Sequence, residues 1–215
     1  MLVEEIMKPD IVTITKHTTI KEAMQLLHKN KIRHIPVVEE DRTIAGIVSD
    51  RDIRDASPSI FHLKEHEEDL QLPAAKIMKY PVITVQRLDF VEEAAVVLYE
   101  NDISALPVVT EDEKVIGILT ETDVLHTLVK LTGAHQPSSR IEVQVPNVSG
   151  QLADISAIFK ENKVNVISVL VYPDQDPETK ILTFRVQTMD PRYIIQKIEA
   201  KGYEIMWPRV PGINQ

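Results

Sequence analysis

The sequence predicts a mixed α+β chain: a duplicated strand–helix–strand–strand–helix unit, followed by a ferredoxin-like βαββαβ domain. Three observations carry this. Ile6-Met7-Lys8, Glu22-Ala23, Pro36-Val37-Val38, Gly46-Ile47 and Asp52 all recur 71 positions later, with nothing inserted or deleted. Within each copy, short β-branched runs alternate with apolar residues at helical spacing. Past Gly133 and Pro137-Ser138-Ser139 the pattern changes to four alternating strands and two amphipathic helices.

The elements follow in order. Val12-Thr13-Ile14 and its counterpart Ile83-Thr84-Val85 read as strands. Ile20, Ala23, Met24 and Leu27 lie on one helical face. Thr19-x-x-Glu22 and Asp89-x-x-Glu92 read as capping boxes at the two helix starts. Ile35-Pro36-Val37-Val38, and Leu106 to Val109, are strands headed by proline. The polar turn Glu39 to Arg42 leads into Ile44 to Val48, which makes a hairpin, and a second helix starts near Ser49 and near Thr120. Arg54 to Ala75 reads as a solvated linker. The expected boundaries are 1–56 for the first unit, 57–76 for the linker, 77–134 for the second unit and 139–210 for the last domain. One unit of roughly 50 residues buries too little surface to stand alone, so the two are expected to pack together.

In the last domain, Ile141 to Val145 alternates as a strand, and Leu152, Ile155, Ile158 and Phe159 form a helix face. Asn165 to Tyr172 and Lys180 to Thr188 are strands. Asp190-Pro191 starts a helix, Gly202 ends it, and Tyr203 to Trp207 is the last strand.

Composition narrows the function. With 24 basic and 33 acidic residues, net charge is −9, and no basic cluster offers itself to a phosphate backbone; nucleic acid and anionic membranes are not expected partners. There is no cysteine, which removes disulfides, thiolate metal sites and cysteine nucleophiles. No secretory signal and no apolar run long enough to span a bilayer is visible, so a cytoplasmic location is expected. No Gly-x-Ser-x-Gly, P-loop or dinucleotide fingerprint occurs, so the chain is not expected to be an enzyme. His62 and His66, with Glu65, Glu67 and Asp69, have metal-ligand spacing, but such runs are more often solvated charged helices, and no metal is expected.

Residues 7–53 and 78–124 resemble two CBS domains. The resemblance rests on Val12-Thr13-Ile14, Ile35-Pro36-Val37-Val38 and Gly46-Ile47-Val48-Ser49-x-x-Asp52, with their counterparts ending in Thr120-x-x-Asp123. Residues 141–207 resemble an ACT domain through Ser149-Gly150-Gln151-Leu152 and Asn165-Val166-Ile167-Ser168. Asn147-Val148-Ser149-Gly150 departs from the family's Asp-x-Pro-Gly pattern, which weighs against amino-acid binding. The order of domains resembles acetoin utilization proteins and implies a role in acetoin and acetate use.

The CBS resemblance implies adenosyl nucleotides in clefts between the units. AMP, ADP, ATP and S-adenosylmethionine are the candidate effectors, and no cofactor is required. Asp52 and Asp123 suit the ribose hydroxyls, Ser49 and Thr120 the phosphate at a helix start, and Thr13 and Thr84 the adenine slot, with Pro36 and Pro107 at the strand heads. The bland reading is that Ser49-x-x-Asp52 and Thr120-x-x-Asp123 are capping boxes that need no ligand. Arg33 and His34 precede the strand in unit one, where unit two has Ser104-Ala105; Arg51 faces Thr122 in the same comparison. The cleft of unit one is therefore expected to hold phosphates better. In the ACT-like domain, Ser149, Gly150, Gln151, Leu152 and Asn165 are the candidate effector or interface residues. The expected product is a homodimeric ligand sensor read by an unidentified protein partner. The alternative is a dimeric interaction scaffold with empty clefts.

Overall fold

The computed structural model describes residues 1–56 and 68–209. The His62 and His66 reading and most of the linker lie outside them. Two compact units divide the chain, Met1–Leu125 and His126–Gln215.

The first unit contains both copies of the repeat. Copy one has α1 (Ile20–Asn30), β1 (His34–Val38), β2 (Ile44–Ser49) and α2 (Asp50–Ala56). Copy two has β3 (Val85–Gln86), α3 (Val91–Glu100), β4 (Ala105–Val109), β5 (Val115–Thr120) and α4 (Glu121–Thr132). β1 pairs antiparallel with β2 as a hairpin, and β4 with β5 in the same register, His34↔Ser49 matching Ala105↔Thr120. Thr19 caps α1 as expected: its hydroxyl accepts from the Glu22 amide, and the Glu22 carboxylate accepts from the Thr19 amide.

Two expectations need correction. The run Val12-Thr13-Ile14 is no strand; Ile14 makes a single parallel bridge to Val37, and β3 is two residues long. Ile14 donates to the Pro36 carbonyl and accepts from the Val38 amide. The next bond toward the N-terminus would need an amide hydrogen on Pro36, which proline lacks. Asp89 does not cap α3. Its carboxylate accepts from the Gln86 amide at 2.7 Å, and the cap position is Phe90, the residue 71 positions after Thr19.

The copies exchange segments. Val3 is fully buried in the core of copy two with Val85, Ala94, Leu98, Leu106 and Leu119. Ala74 is fully buried in the core of copy one with Ile20, Leu27, Ile35 and Val37. The end of the joining segment is thus structural. Backbone bonds secure the exchange: Lys8 bonds Ile118 in both directions and Lys79 bonds Ile47 likewise. Gly46 and Gly117 permit the approach. A Cβ at Gly117 would lie 2.8 Å from Met7 Sδ and 3.0 Å from the Lys8 carbonyl oxygen; one at Gly46 would lie 2.6 Å from Met78 Sδ. Each copy therefore completes its core with the other's lead-in segment, which answers the shortage of burial in a single copy.

The second unit holds β6 (Ser139–Pro146), α5 (Gln151–Glu161), β7 (Val166–Pro173), β8 (Thr179–Val186), α6 (Arg192–Glu199) and β9 (Glu204–Trp207). The sheet is antiparallel in the order β7-β8-β6-β9. This is the expected βαββαβ arrangement. Its core joins Ile141, Val143 and Val145 to Ile155, Ile158, Phe159, Leu182, Phe184, Ile194 and Ile198. Phe159 and Phe184 pack tilted at 4.8 Å. β7 is an edge strand, and from Val169 to Tyr172 its side chains are exposed.

Candidate functional site

Two clefts lie within the first unit, related by the 71-residue repeat. One, of about 620 Å³, is built around Ser49, Arg51 and Asp52, with Lys79 and Ile83 on one side and Ile103, Ser104 and Ala105 on the other. The other, of about 370 Å³, places Thr120 and Thr122 against Lys8, Val12 and Ile32, with Arg33, His34 and Pro36 beside them. The Thr120 cleft combines apolar walls with a few polar groups, whereas charged and polar side chains dominate the Ser49 cleft; both volumes are typical of small-molecule sites. Each takes its Ser/Thr hydroxyl from one copy and its pre-strand turn from the other.

The two aspartates are held identically. Asp52 Oδ2 accepts from the Ser49 amide at 2.8 Å and the Ser49 hydroxyl at 2.6 Å, and the Asp52 amide donates back to Ser49 Oγ at 3.2 Å. Asp123 Oδ2 accepts from the Thr120 amide at 3.0 Å and from its hydroxyl, and the Asp123 amide donates to Thr120 Oγ1 at 3.3 Å. These are capping boxes, as the bland reading has it. Only one oxygen is used for the cap. Asp52 Oδ1 lies 3.7 Å from Lys79 Nζ, and Asp123 Oδ1 lies 3.5 Å from Lys8 Nζ. The aspartate side chains are only 13% and 14% exposed, whereas the lysines are 74% and 60% exposed. A pre-oriented carboxylate oxygen with a movable cation beside it suits a vicinal diol or a phosphate.

Lys8 and Lys79, the last residues of the repeated Ile-Met-Lys, join the site without being among the residues expected there. Their place was hidden because each is delivered by the exchanged segment to the other copy's aspartate. Thr13 and Thr84 line neither cleft; the residues just before them do, Ile11 and Val12 in one and Val82 and Ile83 in the other. Pro107 is buried and lines neither cleft, while its counterpart Pro36 lines the Thr120 cleft. Asp123 flanks its cleft through Lys8.

Arg33 and His34 form a wall common to both clefts. Arg33 Nη2 donates to Thr122 Oγ1 at 3.4 Å, and His34 Nε2 is hydrogen-bonded to Ser104 Oγ at 3.0 Å. Both bonds cross between the copies. Burial, reinforced by the adjacent Arg33 charge, holds His34 below its usual range, so it is uncharged at neutral pH and does not supply the expected cation. The expected charge asymmetry also changes. Among the described residues, the Ser49 cleft carries Asp50, Asp52, Asp55, Asp102 and Glu121, and the Thr120 cleft is lined by Asp10 alone of the carboxylates.

In the second unit, Ser149 and Gly150 are exposed at the turn from β6 to α5. Gly150 has φ +92 with open space around it, so backbone conformation rather than room calls for glycine. Gln151 Oε1 is buried there without a hydrogen-bond partner, and Leu152 is 40% exposed. Asn165 is not brought to this turn. Pro146 pairs with Thr179 and Ser139 with Val186, so Asn165, just before β7, is at the far end of the sheet, bonded to Gln187 Oε1 at 3.2 Å. Among the described residues no group of three or more metal-ligating side chains occurs, and no helix is long and apolar enough to cross a membrane.

Comparison with known proteins agrees with this architecture. Residues 3–59 and 74–130 match the CBS domain family, and residues 139–202 match the ACT domain family. A CBS domain-containing protein of Dictyostelium discoideum is 35% identical over 144 residues, 65% of this chain and 99% of that protein. A homoserine O-acetyltransferase of Methanosalsum zhilinae is 34% identical over 62% of this chain, which spans only 24% of that enzyme.

Solved structures are similar over 60–65% of the chain. The CBS domain pair of protein MJ0100, in complex with 5′-methylthioadenosine and S-adenosyl-L-methionine, is 27% identical, with a TM-score of 0.53 covering 63% of this chain and 98% of that one. CBSX2 of Arabidopsis thaliana in complex with AMP is 27% identical, with a TM-score of 0.52 over 60% of this chain and 96% of that one. A Vibrio cholerae chain assigned to acetoin utilization (AcuB) is 27% identical, with a TM-score of 0.54 over 65% and 98%. Both modules are regulatory. This chain belongs to the CBS domain family, as a tandem CBS pair followed by an ACT domain.

Proposed function

We propose that this chain is a regulatory sensor of adenosyl ligands, not an enzyme, and that ligand in the CBS clefts changes how a protein partner reads it. The observation that carries this is the pair of clefts at each of which an aspartate, oriented through one oxygen by its own helix start, turns the other to a lysine that lines the cleft. The ligands named for MJ0100 and CBSX2 support the adenosyl class. A role in acetoin and acetate use is supported by the Vibrio cholerae neighbour. A ligand changes the output only if its affinity differs between two arrangements of the module.

We read the ACT domain as the dimerising part. β7 supports this: it is an edge strand, and Val169, Leu170, Val171 and Tyr172 are exposed along it. Unpaired apolar edges are ordinarily covered. Antiparallel pairing of two β7 strands would set each chain's 149–152 turn near the start of its partner's strand.

The test is a thermal-shift screen with AMP, ADP, ATP, S-adenosylmethionine and 5′-methylthioadenosine. A ligand at 100 times its dissociation constant adds about 2.7 kcal/mol. The proposal expects a shift for at least one ligand, reduced in Asp52→Ala or Asp123→Ala. No shift with any of them leaves the two boxes as helix caps and makes the chain an interaction scaffold.

A further inference from the structure

We propose that the two clefts take ligands of different charge: the Thr120 cleft binds a phosphorylated adenosine nucleotide, and the Ser49 cleft binds an adenosyl ligand without phosphate. This rests on the adenosyl-sensor reading and adds which chemistry goes where. It reverses the assignment expected from the order of residues along the chain.

Charge on the cleft walls is the first ground. Among the described residues, Lys8, Lys31 and Arg33 line the Thr120 cleft against Asp10. Counting Asp123 at its margin, three cations face two carboxylates, and Asp123 is already paired with Lys8 at 3.5 Å. In the Ser49 cleft the cations Arg51, Arg54 and Lys79 meet five carboxylates, namely Asp50, Asp52, Asp55, Asp102 and Glu121. Even with Arg33 added, carboxylates outnumber cations there. A phosphate dianion entering that cleft meets net like charge, and Asp52, the half-buried one of the five, is the carboxylate least screened by solvent.

Where the shared wall points is the second ground. Arg33 lines both clefts, but its guanidinium donates to Thr122, which belongs to the Thr120 cleft. The residues equivalent to Arg33 and His34 in the second copy are Ser104 and Ala105, and these line the Ser49 cleft with no charge. His34, bonded to Ser104 and held neutral by burial, adds no cation to either side. Arg33 is therefore the one guanidinium that both clefts share, and its hydrogen bond turns it to the Thr120 cleft, whereas Arg51 and Arg54 stand among the five carboxylates of the Ser49 cleft.

Isothermal titration of the full chain with AMP and with 5′-methylthioadenosine tests this. In the wild type, one AMP and one 5′-methylthioadenosine bind together without displacing each other. Asp123→Ala and Lys31→Asn each weaken AMP tenfold or more and leave 5′-methylthioadenosine within twofold. Asparagine is chosen because Lys31 sits at φ +53, which asparagine tolerates. Asp52→Ala does the reverse. AMP affinity falls with added salt while that of 5′-methylthioadenosine holds. The charge assignment is overturned if Asp52→Ala removes AMP while Lys31→Asn leaves it intact, or if the two ligands compete for one cleft. If neither ligand binds the wild type, the adenosyl-sensor reading itself fails, a result distinct from binding in the wrong cleft.

Discussion

Gly117→Ala probes the segment exchange that builds both clefts. The added methyl would lie 2.8 Å from Met7 Sδ and 3.0 Å from the Lys8 carbonyl oxygen. The sulfur is at the movable end of a side chain, but the oxygen is not free to retreat. It accepts from the Ile118 amide at 3.1 Å, while the Lys8 amide donates to the Ile118 carbonyl at 3.0 Å. Overpacking of this kind costs about 1–3 kcal/mol. Alanine also loses less chain entropy on folding than glycine, which returns about 0.4–1 kcal/mol where the backbone conformation suits it. The net expectation is a loss of about 1–2 kcal/mol, or a melting temperature lower by roughly 3–8 °C for a unit of this size. Chemical and thermal unfolding of the full chain measure it. Met7→Ala removes the sulfur, so the double variant should cost less than the sum of the two single changes by about 0.5 kcal/mol or more. Strict additivity, or a Gly117→Ala protein as stable as the wild type, would refute the close approach of the exchanged segment.

Other consequences are open to measurement. Because the folded-state pKa of His34 lies below the ordinary value of 6.5, its contribution to stability is fully present above about pH 6.5 and is lost as pH falls toward the folded value; His34→Gln should flatten that part of the stability–pH curve, and an unchanged curve would remove His34 as its cause. Thr19→Ala removes the α1 cap and should cost about 1 kcal/mol in urea unfolding, against no change for Phe90→Ala through capping, since Phe90 makes no side-chain cap bond. Leu170→Lys on β7 should shift the chain toward monomer in sedimentation with the monomer fold retained; unaltered association would place the dimer contact elsewhere.

Much of this fold is legible in the residues because the repeat keeps one register. The offset that pairs Pro36 with Pro107 also pairs Thr19 with Phe90, so the false cap at Asp89 was readable from the same arithmetic. Strand length near Ile14 was not, since it depends on which partner a proline faces. Nor was the exchange of Val3 and Ala74 between cores: both sit in short stretches too brief to show a strand or helix period, and nothing local marks a residue as buried by a distant segment. That same exchange concealed Lys8 and Lys79 and set Arg33 across two clefts, so the charge of each cleft could not be assigned by chain order. In the ACT domain, the alternation of β6 and the faces of α5 and α6 spelled out the sheet and its core. Which strand would be its apolar edge follows only from the β7-β8-β6-β9 order.

The most direct test of the central claim is a crystal structure of the chain grown with AMP and 5′-methylthioadenosine. The account predicts ribose hydroxyls within hydrogen-bond distance of Asp123 Oδ1 and Asp52 Oδ1, with Lys8 and Lys79 moved off those oxygens and the AMP phosphate beside Arg33. Ligand density outside both clefts, or clefts that stay empty at saturating ligand with the two lysine–aspartate pairs intact, would contradict it.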